Sequence, residues 1–343
     1  MRTIFWEDCV KLIDQTKLPE KFEILECRRV EELAEAIKKL AVRGAPALEA
    51  AGAYGIALAA HEKDFSSVDE MKEYLKKSAE LLASTRPTAV NLFVGIERAL
   101  NKTLKGESVE EIRKLALEEA EKIAEEDVER NKLMGRFGAK LIEDGDTILT
   151  ICNTGRLATV DWGTALGVIR SAVEEGKRVK VIACETRPLN QGSRLTAWEL
   201  MQDGIDVTLI ADSMAGIVMQ RGMVDKVIVG ADRIVKDAVF NKIGTYTLAV
   251  LAKEHGIPFF VAAPITTFDW DREAKDVEIE ERSEDELIYC HITCKSKFIA
   301  PKGVKVFNPA FDATPLKYVS AIITERGVVF PPYEENVPKI LKK

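Results

Sequence analysis

The sequence contains little cysteine and histidine and no long apolar run. Among its 343 residues there are 6 cysteines and 3 histidines, and no second pair of metal ligands accompanies Cys290, His291 and Cys294. This scarcity argues against a zinc site and against a small secreted disulfide scaffold, while a disulfide between Cys290 and Cys294 stays open. Because no apolar stretch reaches about 18 residues, no membrane span is expected. The first residues lack the apolar core of a signal peptide, so the expected location is the cytoplasm.

Two nucleotide-binding signatures are also missing. No G-x-G-x-x-G run opens a helix after the first strand of the predicted sheet, and there is no Walker A run, so an NAD or ATP role has little support. The formal net charge is −7, which argues against a broad surface for nucleic acid or for an anionic membrane. The sequence is 46% apolar and 31% charged, as expected for a globular protein. Its abundance of lysine and glutamate is typical of thermophilic sources.

The sequence pattern changes at Asp144. Before that point the apolar residues follow helical spacing, and an alanine-rich stretch at 47–61 predicts a buried helix. Later, apolar strands alternate with helical segments such as 159–175, which is the pattern of a mostly parallel sheet with helices on both faces. We therefore predict an α/β protein with a helical N-terminal domain over residues 1–119 and a Rossmann-like C-terminal domain over residues 120–343.

Two strands of the predicted sheet end in a side chain that can exchange a proton. Cys152 closes an apolar run and precedes a turn at 153–155, and Asp232 follows the apolar run 227–231. Ligands bind just beyond the carboxyl ends of parallel strands, so the thiol and the carboxylate form a candidate acid/base pair. The alternatives are that Cys152 is a small buried apolar residue and that Asp232 caps a helix or forms half of a salt bridge.

Two turns before helices in the first domain place an arginine where an anion could bind. Arg43 precedes Gly44 and Ala45, and Arg86 precedes Pro87 at the start of another helical segment. A guanidinium fork and the free N–H groups of a helix start both suit a phosphate. Each segment is explained as well by an ordinary capped turn.

Two further polar segments lie in the second domain. Gln191 belongs to a polar run that follows a predicted strand, which makes it a candidate hydrogen-bond donor to a substrate. Asn241 and Lys242 precede a helix that starts near Gly244, and a cation beside a helix start also suits a phosphate.

Taken together, these segments resemble the methylthioribose-1-phosphate isomerase family. The wider group includes the regulatory subunits of translation initiation factor 2B and the ribose-1,5-bisphosphate isomerases. Arg-Gly-Ala-Pro, Cys-Asn-Thr-Gly and Leu-Thr-Ala-Trp-Glu-Leu look like the methylthioribose-phosphate branch. The matching pieces keep the family's order over nearly the whole chain: residues 42–47, 85–92, 152–155, 163–170, 185–188, 191–200, 230–234, 241–246 and 308–312.

The sequence departs from the family's pattern at four points. Glu49 stands where a glycine is common, Cys184 replaces a common aspartate, and Arg156 occupies a position that is usually small. The segment 235–240 is one residue shorter than usual. These departures bear on the identity of the substrate more than on the chemistry, because the candidate acid and base are retained.

The resemblance implies an aldose–ketose isomerisation of 5-methylthioribose 1-phosphate to 5-methylthioribulose 1-phosphate in methionine salvage. It implies Asp232 as the group that protonates the ring oxygen and Cys152 as the group that moves the C2 proton, with reversed roles or a hydride shift as alternatives. No metal or organic cofactor is implied. The expected assembly is a homodimer formed through the C-terminal domain, and domain closure is expected to complete the site. The residues implied to hold the phosphate and sugar hydroxyls are Arg43, Gly44, Ala45, Arg86, Gln191, Asn241 and Lys242.

Two other functions stay open at this point. One is an isomerase of a related sugar 1-phosphate, such as ribose 1,5-bisphosphate or a 5-deoxypentose 1-phosphate, for which Arg156 would supply an extra cation. The other is a non-catalytic regulatory subunit like those of initiation factor 2B. Retention of both Cys152 and Asp232 argues against the regulatory subunit, because a scaffold needs neither side chain.

Overall fold

The chain divides into two compact units. The computed structural model describes residues 1–87, 89–290, 297–298, 300–301 and 303–342. Unit 1 consists of Met1–Lys132 and Thr154–Gly167, and unit 2 consists of Leu133–Asn153 and Val168–Lys343. The boundary expected at residue 120 stays a prediction. Cys294 lies outside the described residues, so the structure does not bear on a disulfide between Cys290 and Cys294.

Unit 1 combines helices with a small antiparallel sheet of order β1-β2-β3. The N-terminal helical region is confirmed, but the sequence analysis did not predict the three strands. The elements are β1 Ile4–Glu7, β2 Cys9–Ile13, β3 Ile24–Cys27, α1 Val30–Lys38, α2 Ala45–His61, α3 Val68–Ala83, α4 Val90–Thr103 and α5 Val109–Ala139, whose residues after Lys132 belong to unit 2.

The alanine-rich helix α2 is buried on all sides, as predicted. It packs closely on α4, because a Cβ atom at Gly95 would lie 1.9 Å from the backbone oxygen of Glu49. Glu49 itself is buried, with its carboxylate 3.7 Å from Arg130 Nη2 and within hydrogen-bond distance of Asn91 Nδ2 at 3.3 Å. The acidic residue that departs from the family's pattern is therefore compensated inside unit 1.

Unit 2 is built on a seven-stranded sheet of order β15-β14-β10-β7-β4-β5-β6, in which only β15 pairs antiparallel. The mostly parallel sheet is confirmed. A smaller antiparallel sheet has the order β13-β9-β8. The strands are β4 Thr147–Thr150, β5 Lys180–Cys184, β6 Asp206–Ile210, β7 Lys226–Val229, β8 Arg233–Ile234, β9 Ala238–Lys242, β10 Phe259–Ala262, β11 Tyr289–Cys290, β12 Lys297–Phe298, β13 Phe311–Pro315, β14 Ala321–Thr324 and β15 Gly327–Val329.

Helices connect these strands. They are α6 Ala165–Glu174, whose first three residues belong to unit 1, then α7 Ala197–Gln202, α8 Ala215–Gln220, α9 Thr245–Glu254, α10 Asp285–Ile288 and α11 Tyr333–Leu341. The core strands are apolar on both faces, with Leu149, Val227 and Val261 fully buried, as parallel strands covered by helices require. Among the described residues, no helix combines the length and the apolar run that a membrane span needs.

Candidate active site

Cys152 and Asp232 follow two strands that lie side by side in the sheet. Strands β4 and β7 pair in parallel, with Ile148 opposite Lys226 and Leu149 opposite Val227. From β4 the chain proceeds outward to β5 and β6, and then returns to β7 and proceeds outward in the other direction. This pair is therefore the topological switch point, where open α/β sheets bind ligands. Both residues leave the sheet at the same carboxyl edge, as the sequence analysis expected.

The backbone of Cys152 has an unusual conformation that two threonine side chains hold. Its φ is 65°, in the left-handed region that residues other than glycine rarely adopt. The Cys152 N–H donates to Thr186 Oγ1 at 2.8 Å, and the Cys152 carbonyl accepts from Thr196 Oγ1 at 2.6 Å. The residue as a whole is 9% exposed. The turn after β4 is thus fixed from both sides.

Thr186 is itself held in the left-handed region, with φ at 66°. Its hydroxyl donates to the Cys184 carbonyl at 3.0 Å, which fixes the direction of its proton. The carboxylate of Asp212 accepts from the N–H groups of Thr186 and Arg187, at 2.8 Å each. An acidic side chain from the loop after β6 therefore fastens the loop after β5.

A buried polar network lies behind the cysteine turn. Asn153 Nδ2 donates to Glu199 Oε1 at 2.9 Å, and Arg170 Nη2 lies 2.7 Å from Glu199 Oε2 and 2.6 Å from Asp203 Oδ2. Burial lowers the pKa of Arg170, but the carboxylates of Glu199 and Asp203 outweigh that effect and the pKa is raised. One guanidinium thus contacts two carboxylates, and these ion pairs offset part of the cost of burying the polar groups.

The segment between β5 and α7 contains a π-helix at Gly192–Thr196, where the Ala197 N–H donates to the Gly192 carbonyl. Such turns occur frequently at functional sites. Gln191 lies directly before it, 6% exposed, and its Oε1 is buried without a hydrogen-bond partner in the described part of the chain. Asn190 Oδ1 is in the same state. Gln191 was predicted from the sequence, whereas Asn190, which precedes it in the same polar run, was not.

Asp232 begins a hairpin that carries the two remaining candidates of unit 2. Asp232 is exposed, and its N–H donates to the Phe240 carbonyl at 2.8 Å. Asn241 is buried at the end of β9, where its Nδ2 donates to Thr245 Oγ1 at 2.9 Å. Lys242 Nζ donates to the Ala310 carbonyl at 3.2 Å and lies 5.0 Å from the centre of the Phe311 ring.

The turn after Lys242 is adjacent to the cysteine segment. A Cβ atom at Gly244, whose φ is 103°, would lie 2.9 Å from Ile151 Cδ1. Four candidates are thus gathered around the ends of β4 and β7: Cys152, Asp232, Asn241 and Lys242. Their roles in binding and catalysis stay a prediction.

A carboxylate of the protein itself binds the N-terminus of α9. Asp312 accepts from the N–H groups of Gly244 at 2.8 Å and Tyr246 at 3.1 Å. Burial raises the pKa of Asp312 to about 6, against the lowering effect of those two bonds and of Lys242. The sequence analysis expected a phosphate at this helix start, but these two N–H groups are already engaged. Asp312 was not among the predicted site residues, although it lies in the matching segment 308–312.

Arg43, Gly44, Ala45 and Arg86 lie in unit 1. Gly44 has a φ of 94°, and a Cβ atom there would lie 2.3 Å from the Ala158 backbone oxygen. Only glycine therefore fits this contact with the 3-10 helix Arg156–Ala158. Arg156 Nε lies 3.6 Å from Asp161 Oδ1, so the unusual arginine has a carboxylate beside it. Among the described residues, no group of three or more His, Cys, Asp or Glu side chains could hold a metal ion.

Comparison with known proteins identifies the family to which this fold and these strand-end residues belong. The model of the Initiation factor 2 subunit family matches residues 41–331, so the chain belongs to that family. A curated relative from Archaeoglobus fulgidus, named provisionally as a methylthioribose-1-phosphate isomerase, is 76% identical over 342 residues and covers 100% of both chains. Within the wider family, this chain belongs to the methylthioribose-1-phosphate isomerases.

Two solved structures are similar over nearly their whole length. The 5-methylthioribose 1-phosphate isomerase from Pyrococcus horikoshii OT3 has a TM-score of 0.93 at 47% identity, with 99% of this chain and 96% of that chain covered. A structure from A. fulgidus, named as the translation initiation factor eIF-2B subunit delta, has a TM-score of 0.94 at 75% identity, with 100% of both chains covered. The two proteins share one fold but are named for different functions.

Proposed function

We propose that this protein converts 5-methylthioribose 1-phosphate to 5-methylthioribulose 1-phosphate in methionine salvage. The observation that carries the proposal is the fixed left-handed turn at Cys152, which ends a strand beside the one that precedes Asp232. A regulatory scaffold has no use for a thiol held in this way. The names of the similar relatives support the same function.

The chemistry needs one acid and one base. The phosphate on the anomeric oxygen keeps the sugar closed until the bond between C1 and the ring oxygen breaks, and Asp232 delivers a proton to that oxygen. Cys152 then removes the proton from C2 and returns it to C1, while the C2 hydroxyl gives its proton back to Asp232. The C2 ketone and the C1 methylene result, with no net change in the enzyme. In the alternative, hydride moves directly from C2 to C1. Acid/base assistance is typically worth about 10²–10⁴-fold in rate.

The substrate-binding groups belong to the same proposal. Gln191 offers a buried acceptor, and Lys242 offers a cation beside the cysteine segment. Arg43 and Arg86 are the predicted phosphate cations of unit 1. The full predicted set is Arg43, Gly44, Ala45, Arg86, Gln191, Asn241 and Lys242. No metal or organic cofactor takes part in the proposed steps.

The proposed setting is a cytoplasmic homodimer, formed through unit 2, from a thermophilic source. Neither nucleic acid nor a membrane is a proposed partner, because the net charge of −7 disfavours both. A 5-phosphate substrate is a weaker alternative, since the cation proposed for it, Arg156, lies beside Asp161.

The first experiment measures ketose formation from a panel of pentose 1-phosphates with three variants. We expect Cys152→Ser and Asp232→Asn each to lower kcat by at least about 10²-fold with the fold retained, because each removes a proton-transfer group. Asp271→Asn, an exposed aspartate in the segment after β10, is the matched control and should keep the wild-type rate. Near-normal turnover in both site variants would remove the acid/base assignment.

A regulatory subunit is the second candidate, and the similarity to the A. fulgidus structure named as an eIF-2B subunit is the observation that favours it. Purified protein would be passed over immobilised initiation factor 2 while the isomerase assay runs in parallel. Turnover without retention on the column supports the enzyme. Specific retention together with no turnover on any sugar phosphate would reverse the proposal.

A further inference from the structure

Two residues at the carboxyl edge of the sheet have backbone conformations in the left-handed region, and neither is glycine. Cys152 has φ 65° and Thr186 has φ 66°, and the backbone N–H of the first donates to the hydroxyl of the second at 2.8 Å. A β-branched residue in this region is a clear conformational outlier. Strain of this kind persists only where the surroundings enforce it.

The surroundings do enforce it, because both threonine hydroxyls have fixed directions. Thr186 Oγ1 accepts from Cys152 and donates to the Cys184 carbonyl at 3.0 Å. Thr196 Oγ1 donates to the Cys152 carbonyl at 2.6 Å and accepts from Asn153 Nδ2 at 3.3 Å. Each hydroxyl therefore both gives and receives a hydrogen bond, which a methyl group cannot do.

Each threonine is anchored in turn by a charged group. Asp212 accepts from the Thr186 N–H at 2.8 Å, and Glu199 accepts from Asn153 at 2.9 Å while it pairs with Arg170 at 2.7 Å. Thr196 and Glu199 both lie in the Leu-Thr-Ala-Trp-Glu-Leu segment that marks this branch of the family in sequence. The proposed chemistry gives that segment no role, whereas these contacts give it one.

We propose that Thr186 and Thr196 are positioning residues that hold the Cys152 backbone in its left-handed conformation and thereby aim the thiol at the substrate. The kinetic part of this inference rests on the proposed isomerase function. The conformational part does not, because it concerns the thiol and its turn alone. The strained turn then has a function, because the left-handed conformation of Cys152 changes the direction of its side chain at the end of the strand.

The test compares valine and serine at each position. Thr186→Val and Thr196→Val keep the branched shape and remove the hydroxyl, while Thr186→Ser and Thr196→Ser keep the hydroxyl. We expect the valine variants to lower kcat by about 10- to 100-fold, since a misplacement of about 1 Å costs that much. KM should change little, and the serine variants should keep most of the activity.

A second readout does not depend on any substrate. The rate at which iodoacetamide alkylates Cys152 would be followed by peptide mass spectrometry, which separates it from the other cysteines. Cys152 is only 9% exposed in the folded protein. The valine variants should react severalfold faster, because release of the turn makes the thiol more accessible. Serine variants should react as the wild type does.

Thr103→Val is the matched structural control. Thr103 is fully buried in unit 1, and its hydroxyl donates to the Ala99 carbonyl at 2.6 Å, the same bond length as that from Thr196 to Cys152. Loss of this hydrogen bond should lower the stability of the fold, while kcat, KM and the alkylation rate stay at the wild-type values.

The outcomes separate the two proposals. If the wild type turns over no sugar phosphate, the proposed function fails, and the alkylation rates still decide whether the threonines hold the turn. Unchanged alkylation in both valine variants would overturn the positioning role. So would equal kinetic damage in the serine variants or in Thr103→Val, since either result would mean a general loss of structure.

Discussion

Among the described residues, Asp127 is a buried carboxyl group whose ionisation opposes folding. It is buried on α5, where one carboxylate oxygen accepts from the Val160 N–H at 2.7 Å and the other from Asn131 Nδ2 at 3.0 Å. Burial raises its pKa to about 7, with Glu49 adding to the rise and Arg130 opposing it. The desolvation of one carboxylate outweighs two hydrogen bonds and a nearby cation.

A pH-dependent stability follows from this raised pKa. Between pH 4 and 7 the unfolded chain releases the Asp127 proton while the folded chain keeps it, so the free energy of unfolding falls as pH rises. Asp127→Asn removes that contribution. The difference in unfolding free energy, variant minus wild type, should therefore rise by on the order of 4 kcal/mol across this range and then level off. Urea titrations at several pH values measure it.

The control for this prediction is Asp271→Asn, an exposed aspartate, which should show a difference that is flat with pH. A flat difference for Asp127→Asn as well would mean that the buried carboxyl keeps its ordinary pKa. The amide is tolerated on structural grounds, because Asn131 Oδ1 is buried and has no hydrogen-bond partner among the described residues.

Residue identity alone predicted Cys152, Asp232 and Gln191, because a strand end marks the ligand edge of a parallel sheet. It did not predict Thr186, Thr196 or Asp312. Their partners are the backbone groups of residues 34, 44 and 66 or more positions away in the sequence. Such contacts depend on the strand order, which local pattern does not contain.

At the scale of elements, long amphipathic or alanine-rich segments were predictable and short pieces were not. The helix predicted at 47–61 is observed at Ala45–His61. The helix expected to begin at Thr159 begins at Ala165 instead. The left-handed conformations of Trp162 and Gly163 interrupt it. Strands of two to five residues, such as β8 and β13, are stabilised by pairing with distant partners and carry little periodicity of their own.

Two helical glycines give opposite predictions at this scale. A Cβ atom at Gly95 would lie 1.9 Å from the Glu49 backbone oxygen, whereas at Gly216 the nearest atoms, from Leu251, lie 3.8 Å away. Gly95→Ala should lower the unfolding free energy by about 1–3 kcal/mol or more, because backbone cannot move aside as a flexible side chain can. Gly216→Ala should raise it by about 0.5–1 kcal/mol through helix propensity.

Urea unfolding of the two variants checks the pair, and each serves as the control for the other. A stabilising Gly95→Ala would mean that α2 and α4 are farther apart than the structure places them. A destabilising Gly216→Ala would mean that α8 meets a neighbour at that position.

At the scale of the whole molecule, the alternation of strands and helices predicted the sheet, but only the structure gives its order. The reversal between β4 and β7 brings together two segments about eighty residues apart. A sheet with the same elements in another order would separate Cys152 from Asp232. The sequence could therefore propose the pair, while its convergence at one edge depends on topology.

The proposed dimer is testable through the apolar surface of unit 2. Leu209 on the edge strand β6 and Ile217 on α8 are exposed, and an uncovered edge strand beside apolar side chains favours association. Light scattering should give the wild type twice the 38.1 kDa mass of the chain. Ile217→Asp should shift the measured mass to that of the monomer, because a charge would be buried unpaired in the interface.

Phe22→Asp is the control, at a similarly exposed apolar position in unit 1, and it should leave the dimer intact. A monomeric wild type, or a dimer disrupted by Phe22→Asp alone, would move the association away from unit 2.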